Sequence, residues 1–352
     1  MPISAVDAIS LAFEHTKRQL FQPFRFGQWT RLALVGLLAG ELGSGRGCHG
    51  NYNLPRQSQG LPHIDPALLV GLIVVLVLAA LVLGIVLMYI SSVMRFILFD
   101  SVLARECHIR AGWSRRQDPG LRFFLWNLLC AAVTIAGAVV LAGIPLGFAF
   151  AVGWLREPRQ HLLVLILGGM LLFFVLMIFL GTMAVIYVLT KDFVVPQMAL
   201  ENIGAIEGWR RLWPMMLSEK AGYAAYVGMK ILLTIGASIV VGVATLILGL
   251  IIAIPTVGLA IVAVLMGKTA GLTWDVYTIT VAVVVGSILF AIFFYLVALI
   301  SVPVIVFFPA YSIYFFAARY PALSTALYPT PSPSPQIPPE APPLPPAPAP
   351  IG

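Results

Sequence analysis

The chain has 352 residues, 60% of them apolar and 10% charged, with a formal net charge of +7. Soluble domains carry about 25% charged and 45–50% apolar residues, so most of this chain has lipid as its solvent and a soluble globular enzyme is excluded. The basic excess lies between apolar segments, with no basic helix bearing base-reading residues, which excludes nucleic acid as a partner and points to anionic lipid headgroups.

In chain order, Ser4 and Asp7 form a start resembling a capping box. Val6, Ile9, Phe13 and Leu20 then recur at helical spacing opposite Glu14, Lys17 and Arg18, so residues 1–30 read as a cytoplasmic amphipathic helix lying in the inner interface. Met1 to Leu20 lacks the basic, apolar and small-residue regions of a cleavable signal peptide. Residues 31–320 read as an all-α polytopic transmembrane helical bundle, because a crossing needs about 20 apolar residues. The predicted spans are 32–42, 67–94, 121–155, 162–190, 221–266 and 276–316. The first is short and ends in Glu41 and a Gly-rich run. A second amphipathic segment precedes the fifth span, where Ile203, Ile206, Trp209 and Trp213 alternate with Glu207, Arg210 and Arg211, and Pro214 ends or kinks it. Residues 321–352 form a cytoplasmic tail. From Pro329 onward twelve of twenty-four residues are proline and one, Glu340, is charged, which predicts a disordered, polyproline-II-like spacer.

With six spans, sixteen Lys and Arg residues fall on one side and five on the other (Arg46, Arg56, Arg156, Arg159 and Lys268). That split places both termini in the cytoplasm and the chain in a plasma (inner) membrane.

The spans also repeat. Gly27-Gln28-Trp29, Gly112-Trp113 and Gly208-Trp209 precede spans one, three and five, and each Trp is soon followed by Arg31, by Arg115 and Arg116, or by Arg210 and Arg211. Asp100 to Trp113 and Pro196 to Trp209 are both thirteen residues apart. Three tandem hairpins account for this, with the Trp/Arg pairs as anchors at the inner interface. The odd spans meet Gly or Pro toward their outer ends, at Gly143, Pro145, Pro255 and Gly258. Breaks there predict a kink or helix end, or a site lining a cavity.

The central parts of the spans hold no Asp, Glu, His, Lys or Arg; Glu41, Asp100, Lys191, Asp192 and Asp275 read as boundary residues. That argues against an ion pump, a proton-coupled carrier and a voltage sensor. Asn127, Thr182, Thr234 and Ser287 read as interhelical hydrogen-bond partners. No HExxH, GxSxG or Walker loop occurs, so neither catalytic residue, cofactor nor metal is assigned. Cys48-His49 with His63 lacks a fourth ligand, and Cys48, Cys107 and Cys130 fall at three different depths, so no disulfide is expected.

The stretch Phe193-Val194-Val195-Pro196, followed by Gly208-Trp209-Arg210-Arg211, resembles a broad group of bacterial six-span membrane proteins. It is similar to the membrane domain fused to some glycerophosphodiester phosphodiesterases, over roughly residues 1–320. The resemblance implies a bacterial inner-membrane protein. The phosphodiesterase domain and its acidic metal site have no counterpart, so no catalytic residue is carried over. The expected role is a non-enzymatic scaffold or accessory of the cell envelope, with a membrane or cytoplasmic protein as partner. The alternative is an uncoupled transporter or channel for a small or lipidic solute.

Overall fold

The computed structural model describes residues 3–41, 66–155, 157–269 and 276–328. The Pro-rich stretch from residue 329, and Arg46, Cys48, His49, Arg56, His63, Arg156 and Asp275, lie outside the described residues. The described chain is all-helical: α1 (Asp7–Phe21), α2 (Phe26–Leu38), α3 (Pro66–Ala104), α4 (Ile109–Ala151), α5 (Leu162–Leu189), a π-helical turn (Thr190–Val194), α6 (Val195–Glu201), α7 (Ala205–Ser218), α8 (Lys220–Thr269), α9 (Val276–Ile300), α10 (Val302–Ala317) and α11 (Pro321–Leu327).

Five helical stretches are long and apolar enough to cross a membrane: Leu68–Ala104, Ile109–Ala151, Leu162–Glu201, Lys220–Gly267 and Tyr277–Ala317. In the first four, the most apolar window buries none of its residues inside the chain. These apolar arms leave their side chains for lipid, which removes the usual drive for helices to pack by hiding apolar surface. The predicted first span, 32–42, is not among the five. α2 has 13 residues, a length of about 20 Å against a hydrocarbon core of about 30 Å.

Burial is concentrated at one end of the arms, in a hub built from α1, α2, the C-terminal third of α3, the start of α4, residues 189–212, the start of α8, α10 and α11. Phe193 is its aromatic centre, with ring centroids of Tyr226 at 4.9 Å, Phe316 at 5.1 Å, Tyr223 at 5.4 Å and Phe315 at 5.9 Å. Tyr226 in turn stacks on Tyr311 at 5.0 Å. Where α4 crosses α3, Gly120 allows the closest approach. A Cβ there would lie 2.6 Å from Val93 Cγ2 and 3.2 Å from its Cα.

Both ends of the described chain dock in this hub. The α1 start is as expected: the Asp7 N–H donates to Ser4 Oγ at 3.1 Å, and that hydroxyl donates to the Asp7 carboxylate at 2.7 Å. The face that packs on the protein is distinct from the apolar face expected in the interface, Leu20 apart. Ala8, Ala12, His15, Thr16, Gln19 and Leu20 are buried, whereas Val6 and Phe13 are 61% and 65% exposed. Small and hydrogen-bonding residues let α1 lie close against α10. Tyr311 Oη donates to Ala5 O at 3.2 Å, and Gln19 Nε2 donates to Ser101 O at 3.0 Å. At the other end, Arg319 forks onto Glu219 at 2.7 and 2.6 Å and reaches Ile3 O at 3.1 Å.

Several smaller expectations are corrected. α7 continues through Pro214 to Ser218. α4 runs through Gly143 and Pro145, and α8 through Pro255 and Gly258, so the helix ends expected there do not occur. Among the four polar residues singled out within spans, Asn127 reaches another helix, at Ser92 Oγ (3.5 Å). Thr182, Thr234 and Ser287 bond the carbonyl four residues back on their own helices.

His15 gives the hub a pH dependence. One ring nitrogen lies 3.1 Å from Tyr314 Oη and the other 3.0 Å from Val102 O. Burial, and then the nearby Arg105 charge, lower its pKa from the usual 6.5. The unfolded chain therefore binds the proton more readily than the native one. The stabilisation is full above pH 6.5 and is lost as pH falls below it. Proteolysis of the α1 segment should accelerate on acidification through this window in the native protein, and His15→Gln should flatten the profile. An unchanged slope in that variant would assign the effect elsewhere.

Candidate functional site

The most unusual chemistry lies where the hub meets the arms. Glu41, three residues past the end of α2, sits between Arg95 of α3 and Lys191 of the π-helical turn, at 3.8 and 2.5 Å. The next residue, Asp192, accepts from Lys230 of α8 and from Tyr226 Oη, the latter at 2.9 Å. The side chains of Glu41, Arg95 and Asp192 are 6%, 5% and 3% exposed. Two carboxylates and three cations thus form one buried network.

Local geometry explains how neighbours in sequence serve different partners. A π-helical turn widens the spiral and re-aims the side chains on it. Lys191 then reaches back to Glu41 while Asp192 faces Lys230. Trp209 Nε1 donates to Thr190 Oγ1 at 3.0 Å at the start of that turn. Arg95 Nη2 also donates to Ala39 O at 2.6 Å and to Tyr187 Oη at 3.1 Å, and its guanidinium lies over Phe123 at 6.0 Å. Lys230 lies 5.9 Å from the ring centroids of Tyr226 and Phe308. Buried charges this close, walled by aromatic rings, are costly unless paired, so the pairs hold their elements in register.

The predicted anchors are placed elsewhere. Trp29 Nε1 donates to Leu20 O at 3.0 Å, and Trp113 meets Tyr89 edge-on at 6.3 Å. Arg116 forks onto Asp100 at 2.7 Å through both nitrogens and donates to Ala199 O at 2.6 Å. Arg211 pairs with Glu201 and Glu207, and Arg31 donates to Cys107 O at 3.4 Å. Arg115 and Arg210 point to solvent. The indole N–H groups of Trp29 and Trp209 therefore serve the protein's own backbone and hydroxyls. Gly143 and Gly258 have open space where a Cβ would be.

The ion network was not foreseen as a unit. One signal pointed toward it: Arg95 stands five residues before Asp100 and Lys191 five before Pro196, just ahead of the two stretches that share thirteen-residue spacing to Trp. Both cations meet Glu41. The paired glycines behave alike too, Gly112 facing Ile97 and Gly208 facing Val194.

Among the described residues, no group of three or more His, Cys, Asp or Glu side chains could hold a metal ion. Cys107 and Cys130 are free thiols. No curated protein and no solved structure matches the chain. A model described as a family of unknown function, DUF7544, matches residues 3–326, and the chain belongs to that family.

Proposed function

We propose that this member of a family of unknown function is a non-enzymatic membrane scaffold or accessory protein of the cell envelope. The observation that carries the reading is the ion network. It draws Glu41 and Arg95, Lys191 and Asp192, and Lys230 from the feet of three successive helix pairs. Its charges face one another and aromatic rings, as suits a clamp rather than a substrate site. The carrier alternative loses its main support, because α4 and α8 run unbroken through the positions where unwound backbone was expected.

On this reading the three pairs are tandem hairpins in a bacterial inner membrane, related to the membrane domain fused to some glycerophosphodiester phosphodiesterases. Both ends of the described chain meet in the hub, so an even number of crossings separates them. Five long helices leave one further crossing, and we place both termini in the cytoplasm. Anionic headgroups meet exposed cations such as Lys17, Arg115 and Arg210, and a protein partner docks on the hub or the Pro-rich tail.

The purified chain in phosphatidylcholine vesicles separates the two readings. A scaffold leaves the leak of entrapped glucose, glycerol and a self-quenching anionic dye equal to that of empty vesicles. Protein-dependent flux of any of them would overturn the scaffold reading in favour of a channel.

A further inference from the structure

We propose that the chain carries a binding site for an anionic phosphate group in the cavity between the α1–α2 turn and the first turn of α4. A cavity of about 580 Å³ is lined by Arg31, His108, Arg110 and Ser114 among others. A second of about 260 Å³ adjoins it, sharing Arg31 and His108 and adding Arg25, Gln28 and Glu106. Three guanidinium groups thus line two adjoining hollows. Among the described residues none of the three takes part in an ion pair. The one acid at the rim, Glu106, is 3.2 Å from His108 Nε2. The lining therefore carries two uncompensated positive charges, an arrangement that repels itself unless an anion enters.

The wall is built rather than incidental. Gln28 Nε2 donates to Arg105 O at 2.7 Å and fastens α2 to the α3–α4 turn. The backbone adds donors: His108 provides no side-chain cap to α4, and the first amide to bond back is Gly112, to His108 O at 2.9 Å. The N–H groups of Ile109, Arg110 and Ala111 are left at the positive end of a 43-residue helix. A carboxylate occupies one guanidinium fork. A tetrahedral phosphate presents enough oxygens for several forks and amides at once. Its source is either a lipid headgroup or a soluble phosphate. Phe24 and Phe26, 59% and 57% exposed on either side of Arg25, are suited to an acyl chain. The site stands independently of the scaffold reading.

The test uses the full chain in phosphatidylcholine nanodiscs, titrated calorimetrically with inorganic pyrophosphate in one arm and short-chain phosphatidic acid in the other. The expected result is saturable binding in at least one arm. Arg31→Gln with Arg110→Gln should weaken it, by about tenfold for each charge-assisted bond lost. Arg159→Gln, a control on the exposed α4–α5 connection, should leave it unchanged. Arg25→Gln serves as a second probe if the double variant loses its helix content. Binding of pyrophosphate assigns a soluble phosphate; binding of phosphatidic acid alone assigns a headgroup. No saturable binding in either arm, or equal binding by native protein and the cavity variants, overturns the site.

Discussion

Asp192→Ala is expected to destabilise the hub by about 3–5 kcal/mol, because it strands a buried cation. Lys230 is 11% exposed and has Asp192 as its ion-pair partner. Tyr226, fully buried, loses the acceptor of its hydroxyl in the same step. The loss should appear as a lower detergent-unfolding midpoint of the purified chain. Asp192→Leu with Lys230→Leu should recover most of it, since removing both partners leaves no orphan charge. A shift of under about 0.5 kcal/mol for Asp192→Ala, the size of an ordinary surface substitution, would mean that the charges are solvated and the clamp is not one.

Phe193→Ala should cost a similar amount, about 3–5 kcal/mol, for a different reason. The ring is fully buried and touches four other aromatic rings contributed by α8 and α10. Truncation leaves a cavity that those rings, fixed from two other helices, are poorly able to close. Phe193→Leu keeps most of the volume and should cost less than about 1.5 kcal/mol. Phe173, 58% exposed on the arm of α5, is the internal comparison. Phe173→Ala should leave the hub's unfolding unchanged, because that side chain faces lipid in both states. Equal losses at positions 173 and 193 would erase the distinction between hub and arm.

The long apolar runs declared five of the spans, since nothing but lipid can solvate 20 consecutive Leu, Val and Ile residues. The weak first segment was visible as weak, and α2 is indeed too short to cross by itself. The packed face of α1 was not legible because Ala8, Ala12, Thr16 and Gln19 do not register as an apolar stripe, yet they are what allows close approach to α10. Gly143, Pro145, Pro255 and Gly258 suggested a kink or a helix end, and the ends did not form. In an apolar medium one missing amide is cheaper than exposing a whole turn of backbone, so the helices continue through them. The ion network was illegible for a simpler reason. Glu41 and Lys191 are 150 residues apart, and each alone reads as an ordinary interface charge. Their meeting depends on tertiary placement and on the π-helical turn, neither of which leaves a compositional trace.

On the proposed topology, the hub holds both ends of the described chain on one face of the membrane, and the α4–α5 connection lies on the other. Single cysteines at exposed Glu14 and Glu157 and at half-buried Ser324, placed in a chain with Cys48, Cys107 and Cys130 replaced by serine, test it directly with a membrane-impermeant maleimide. Position 157 should label in intact cells, and positions 14 and 324 only after permeabilisation. Labelling of 14 and 324 from opposite sides, or of 157 from the same side as both, would contradict it.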